Sequence, residues 1–215
     1  MIYINQIILN ILLHIKMFFV KHLLYKPLLK KTKNPQISQN KLLKDIIKRN
    51  SNTIFGNNHN FKKINDYQGF VKELDVNNYE DLRVYIQNEE NISKYLNSKQ
   101  AVIYAQTSGT TGEPKYIPIL ENTIKQYQKL QNIFSYALYA SIPGVFAGKI
   151  LSIVSPAIEG HMENGMPFGS LSGLLYKNAP KFMRSKFVVP YEVFEIEDYD
   201  FKYKLITVFS LIQKD

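Results

Sequence analysis

The chain has 215 residues with 45% apolar and 21% charged side chains, enough to build one full domain and far from the composition of a disordered chain. It contains no cysteine, which excludes disulfides, thiolate metal sites and a cysteine nucleophile, and suits a reducing, cytoplasmic setting. The formal net charge of +9 is placed unevenly: residues 16–49 hold ten Lys/Arg (Lys16, Lys21, Lys26, Lys30, Lys31, Lys33, Lys41, Lys44, Lys48, Arg49) against Asp45 alone, so the rest sums to zero. In chain order, residues 2–25 read as a helix that is apolar but interrupted by Asn5, Gln6, Asn10, His14, Lys16 and Lys21. The run falls short of a membrane span, and its polar residues recur at helical spacing. A secretory signal is not expected, because no basic segment precedes the run and no small-residue cleavage site follows it. A polar stretch at 30–37 leads to a second helix, 38–50, with Leu42, Leu43, Ile46 and Ile47 expected on its buried face.

Gly56 to Asn60 reads as a turn, and residues 66–73 and 79–88 as helices, the latter with Tyr79, Leu82 and Ile86 on one side. A strand-loop-strand unit at 101–119 precedes the strongest helix, 121–141, whose stripe Ile124, Tyr127, Leu130, Phe134, Leu138 is expected in the core and which Pro143-Gly144 ends. Leu151 to Val154 is expected as a short strand, 159–173 as loop-rich, Phe187 to Val189 as a further strand and 198–213 as a helix. Strands alternating with helices predict an α/β fold carrying an N-terminal helical arm. The domain reading is a basic amphipathic arm over 1–50 and an α/β domain over 51–215.

Chemistry concentrates between the two strands, in Thr107-Ser108-Gly109-Thr110-Thr111-Gly112-Glu113-Pro114-Lys115. Glycines let successive N–H groups turn inward as an anion nest, hydroxyls add donors, and the lysine adds a point charge. The same residue types also compose ordinary turns. The pattern is not a Walker A loop, because Pro114 occupies the place of the second glycine. The histidines (His14, His22, His59, His161) keep no metal-ligand spacing and read as surface or capping residues. The pairs Glu80-Asp81 and Glu89-Glu90 read as solvated faces rather than opposed acid–base groups.

The nine residues 107–115 resemble, at every position, the phosphate-loop signature of the adenylate-forming enzymes, the superfamily of acyl-CoA ligases and luciferases. Asn52-Thr53-Ile54-Phe55-Gly56, His59-Asn60-Phe61, Val76 to Leu82, Lys115-Tyr116-Ile117-Pro118 and Gly165 to Gly173 resemble one branch of it, the auxin-responsive Gretchen Hagen family of acyl-acid amido synthetases, in a microbial type. The resemblance runs from about residue 36 to the end. It implies the first part of the large adenylate-forming domain, an ATP-dependent ligase that adenylates a carboxylic acid and passes the acyl group to an amino-acid amine. ATP and Mg2+ are implied with it, and small carboxylic and amino acids as substrates. Carried over, Thr107, Ser108, Gly109, Thr110, Thr111, Gly112 and Lys115 bind the nucleotide, and Lys115 and Thr110 make the catalytic contacts. Ser170 and Ser172 are weaker carry-overs to the acid-binding wall, and no metal ligand can be named. The family's Tyr-Gly adenine motif has no counterpart here, so the chain is expected to be the N-terminal portion of a longer enzyme, inactive alone.

Two other functions remain open from sequence. One keeps adenylation but uses coenzyme A as acceptor. The other is a noncatalytic remnant or adaptor that binds a partner through the basic arm. The arm itself is expected to dock on the remainder of a longer enzyme, ahead of lying on a membrane surface, and nucleic acid is not expected, since no recognition signature accompanies the charge.

Overall fold

A computed structural model describes residues 2–88, 95–107 and 113–212. It is a mixed α/β chain that separates into two compact units, one of Met1–Pro27, Asn122–Gly160 and Phe168–Asp215, the other of Leu28–Glu121 and His161–Pro167.

In the first unit, helix α1 (Ile2–Val20) runs into a π-helical turn (Lys21–Tyr25) and continues as α2 (Lys26–Thr32). Leu13, Met17 and Val20, spaced for one face, are buried with Tyr136 of α7 (Glu121–Ser141). The bounds of α7 match the expectation, but its expected core stripe does not. Leu130 and Phe134 are 56% and 63% exposed, and the buried residue is Tyr136. A helix packed along a single side buries one narrow arc, and here that arc is centred on Tyr136 rather than on Phe134.

The expected strand Leu151–Val154 does not form. Pairing is confined to one parallel bridge between Ile150 and Phe187, made by Ile150 N–H to the Lys186 carbonyl (2.8 Å) and Val188 N–H to the Ile150 carbonyl (2.9 Å). Apolar β-branched residues favour extended backbone, but a strand also needs a ladder partner along its length. Residues 159–173 are more regular than expected. They hold β3 (Gly160–His161) and β4 (Pro167–Gly169), with His161–Pro167 grouped in the second unit, and then α8 (Leu171–Lys177).

Short helices α9 (Lys181–Arg184) and α10 (Tyr191–Phe194) and the final α11 (Tyr199–Ile212) complete this unit. Its main core is Ala157, Tyr176, Val189, Tyr191, Val193, Phe194 and Ile206. Two tyrosine hydroxyls make that core specific. Tyr176 donates to the Val189 carbonyl (2.5 Å), and Tyr191 accepts from Ala157 N–H (2.7 Å). On α11, Ile206 is buried whereas Tyr199 and Tyr203 are exposed.

In the second unit, Pro35 at the start of α3 (Pro35–Asn50) presets the first helical φ, so the helix begins three residues earlier than expected. Ile47 joins Phe55, Phe61 and Ile64 in a core with Leu43 packed against it, while Leu42 and Ile46 stay exposed. The expected turn at Gly56 is one turn of helix, α4 (Ile54–Asn58). Buried Thr53 caps it, accepting from Gly56 N–H (2.9 Å) and donating to the Asn50 carbonyl (2.8 Å). A 3-10 turn (Phe61–Lys63), α5 (Tyr67–Glu73), α6 (Tyr79–Asn88), β1 (Ile103–Gln106) and β2 (Tyr116–Ile119) follow. Ile86 of α6 is buried, with Tyr79 and Leu82 half-buried on the same side.

Candidate functional site

The site is built on the antiparallel hairpin β1–β2, in register Ile103↔Ile119, Tyr104↔Pro118, Ala105↔Ile117 and Gln106↔Tyr116. Buried Ile103, Tyr104 and Ile119 fix the strands, and the hairpin opens at Thr107 and Lys115. Two hydrogen bonds close this neck: Thr107 N–H donates to the Lys115 carbonyl (3.0 Å), and Lys115 N–H donates to Thr107 Oγ1 (3.2 Å). Of the nucleotide-binding residues expected from sequence, Thr107 and Lys115 are therefore brought together as the two sides of the loop mouth. Ser108, Gly109, Thr110, Thr111 and Gly112 lie outside the described residues.

The first turn of α6 buttresses that mouth. Asn78 and Asp81 start the helix as a reciprocal cap: Asn78 Oδ1 accepts from Glu80 N–H (2.7 Å), and Asp81 Oδ2 accepts from Asn78 N–H (2.8 Å). Capping leaves Tyr79 directed at β2. Its hydroxyl accepts from Tyr116 N–H (2.8 Å) and donates to the Tyr116 carbonyl (3.3 Å), gripping the backbone of the residue that follows Lys115. The Lys115 ammonium stands 5.7 Å from the Tyr79 ring centroid, and the Arg83 guanidinium stands 5.0 Å from it. Two cations thus stand over one aromatic ring.

Arg83 forks onto Glu80 through Nε to Oε2 (2.6 Å) and Nη2 to Oε1 (3.0 Å), and its Nη1 lies 3.4 Å from Glu113 Oε2 in the loop. The Arg83 hydrogen bond holds the Glu80 carboxyl below its ordinary pKa, with the charges of Arg83 and Lys115 acting in the same direction; Glu80 in turn raises Arg83. The mouth therefore carries two cations and two carboxylates, one of which Arg83 neutralises by a bidentate contact. Sequence reasoning passed over Tyr79, Arg83 and Glu113. The i,i+3 spacing of Glu80 and Arg83 was a local signal for their pairing, but nothing local tied Tyr79 to a peptide group 37 positions away.

The second predicted segment, Gly165 to Gly173, lies apart in the chain. Ser170 is the N-cap of α8, its Oγ accepting from Gly173 N–H (3.3 Å) and sharing a hydrogen bond with Ser172 Oγ (2.7 Å). At Gly173 the close approach allowed by a missing Cβ is made by the protein's own backbone: an added Cβ would stand 2.2 Å from the Ser155 carbonyl oxygen. Ser172 lines a cavity of about 460 Å³ within the first unit, with Phe134, Leu138, Phe146, Tyr176 and Phe187.

Among the described residues no group of three His, Cys, Asp or Glu is placed to hold a metal ion. His14 hydrogen-bonds the Tyr139 hydroxyl, His22 the Phe18 carbonyl, and His59 packs at a tilt against Phe55, while His161 is exposed.

A mixed α/β chain with a hydroxyl- and glycine-rich hairpin closed on a lysine has relatives among ligases. Residues 24–215 match the GH3 family N-terminal domain, and the chain belongs to that family. It is similar to the indole-3-acetic acid-amido synthetase GH3.2 of Arabidopsis thaliana, 30% identical over 150 residues, 68% of this chain and 27% of that protein. It is also similar to the indole-3-acetic acid-amido synthetase GH3.4 of the same plant, 32% identical over 139 residues, covering 63% and 23%. The chain thus spans about a quarter of the length of these curated relatives. Its fold resembles that of the solved GH3.15 acyl acid amido synthetase, with a TM-score of 0.68 at 23% identity, over 80% of this chain and 30% of that one.

Proposed function

We propose that this chain supplies the triphosphate-gripping hairpin of an ATP-dependent ligase that adenylates a carboxylic acid and transfers the acyl group to an amino-acid amine. The observation that carries the proposal is the neck: Thr107 and Lys115 are tied by two hydrogen bonds, so the hydroxyl- and glycine-rich segment of sequence between them starts and ends at one place, beside a lysine. In this reading Lys115 moves from the Tyr79 ring onto the β- and γ-phosphates. Ser108, Gly109, Thr110, Thr111 and Gly112 offer hydroxyl and backbone donors to the same oxygens. As the acid's carboxylate attacks the α-phosphorus, negative charge accumulates on the departing pyrophosphate, and donors already fixed there lower the barrier. Arg83, held between Glu80 and Glu113, keeps those carboxylates from opposing the incoming phosphates.

Magnesium bound with the nucleotide would screen the phosphate charges. Among the described residues no carboxylate cluster is placed to hold it. The coenzyme A alternative shares the adenylation step and gives the hairpin the same task. The acid-binding role carried over to Ser170 and Ser172 rests on Ser172, which lines the 460 Å³ cavity, since the Ser170 hydroxyl is engaged as a cap. We place the reaction in the cytoplasm, where ATP and both acids meet.

The test is a thermal-shift titration with Mg-ATP. The proposal expects saturable stabilisation that Lys115→Ala abolishes and Lys115→Arg retains in part. No stabilisation at millimolar nucleotide, or an equal shift in the Lys115→Ala variant, overturns it.

A further inference from the structure

Helix α1 has two apolar faces, and the fold uses one. Leu13, Met17 and Val20 are buried with Tyr136, whereas Ile7, Ile8, Ile11, Leu12, Ile15, Phe18 and Phe19 are each about half exposed. At 3.6 residues per turn the exposed set fills an arc of roughly 140° that lies opposite the buried stripe. Polar residues separate the two faces: Asn10, His14 and Lys21 along one edge, Lys16 along the other. The chain's charge follows the same end: eight lysines and no Asp or Glu precede Asp45. The match to the family domain begins at residue 24, so α1 lies ahead of it. Among the described residues no helix is long and apolar enough to cross a membrane.

We infer that α1 is a membrane-surface helix that lays its exposed face into the boundary of an anionic lipid bilayer. Charge complementarity selects this occupant. A stripe of Ile, Leu and Phe bordered by the Lys21 stem matches an interface where apolar side chains enter the acyl region and an ammonium group rises to the phosphates. Lys26, which follows in the same unit, extends the basic character beyond the helix, and each lysine near such a surface strengthens binding several-fold. The buried stripe keeps the helix on its own unit while the outer face is offered to lipid.

The experiment is flotation of the full chain with vesicles of phosphatidylcholine containing phosphatidylserine, against phosphatidylcholine alone. Expected is flotation with the anionic vesicles, loss of most of it in 0.5 M salt, and about tenfold weaker partitioning for Lys21→Gln with Lys26→Gln. Ile11→Asp with Ile15→Asp abolishes flotation without lowering the melting temperature, since both side chains are exposed. Phe18→Ser with Phe19→Ser is the second pair should the first misfold. Flotation that neither pair reduces, or no binding to anionic vesicles, overturns the inference. So does a concentration-dependent dimer in lipid-free buffer that Ile11→Asp with Ile15→Asp dissociates, because the face would then belong to a second copy.

Discussion

Replacing Tyr79 by phenylalanine removes one oxygen atom and isolates its role at the loop mouth. The hydroxyl serves both polar groups of Tyr116, at 2.8 Å from the N–H and 3.3 Å from the carbonyl. Removing it from a half-buried position costs about 1–2 kcal/mol, the penalty for depriving a partly desolvated peptide group of its partner. For a chain of this size each kcal/mol moves the melting temperature by about 2–4 °C, so Tyr79→Phe is expected to lower it by about 2–8 °C. The aromatic face remains, and with it the places of Lys115 and Arg83. Tyr79→Leu also removes the ring on which both cations rest, so it is expected to lower the melting temperature further than Tyr79→Phe does. Urea denaturation of the three proteins gives the free energies, and hydrogen exchange at the Tyr116 amide reads the contact itself. Tyr79→Phe with parental stability and unchanged exchange at Tyr116 would refute the clamp.

Gly173→Ala drives a methyl group to 2.2 Å from the Ser155 carbonyl oxygen; because that neighbour is backbone, the expected loss is about 1–3 kcal/mol, read by urea denaturation. Burial, assisted by the charge of Glu192, pushes the Tyr176 phenol up to about 12 from its ordinary 10.0. Its contribution to stability is thus whole below pH 10 and is lost as pH rises towards 12, because the unfolded chain releases the proton first. Melting temperatures between pH 9 and 12 should fall more steeply for the parent than for Tyr176→Phe. Lys186, lowered mainly by burial and then by Lys149, opposes this trend: its folded form favours loss of the proton, so its contribution rises with pH up to its unfolded pKa.

Local pattern carried the boundaries of the regular elements. Helix α7 ends where Pro143-Gly144 stops it, and the strands around 107–115 stand where short apolar runs meet a glycine-rich turn. Pattern failed where a second segment decides the outcome. Leu151 to Val154 has the composition of a strand, but apart from the bridge at Ile150 it finds no ladder. Leu130 and Phe134 keep helical period, yet the side of α7 that is covered belongs to Tyr136. The candidate site was legible at Thr107 and Lys115 because their chemistry lies in one contiguous run. Tyr79 and Arg83 were not, because what they do depends on folding α6 against the hairpin, a contact spanning 37 residues. Ser170 reads differently once its oxygen is seen to start a helix: a hydroxyl near a ligand motif and a hydroxyl capping a helix look alike in one dimension.

The paired hydrogen bonds between Thr107 and Lys115 have a consequence for how this region tolerates change. They have already met the closure cost of a short tether, Thr107 to Lys115, that is fixed at both ends. The same tether makes the lysine's reach a matter of chain length. An extra residue between Thr107 and Lys115 would leave composition and charge nearly unchanged, yet would either break the neck or carry the ammonium off its aromatic rest. Indels in this stretch should therefore be far more damaging than substitutions among its hydroxyl-bearing residues.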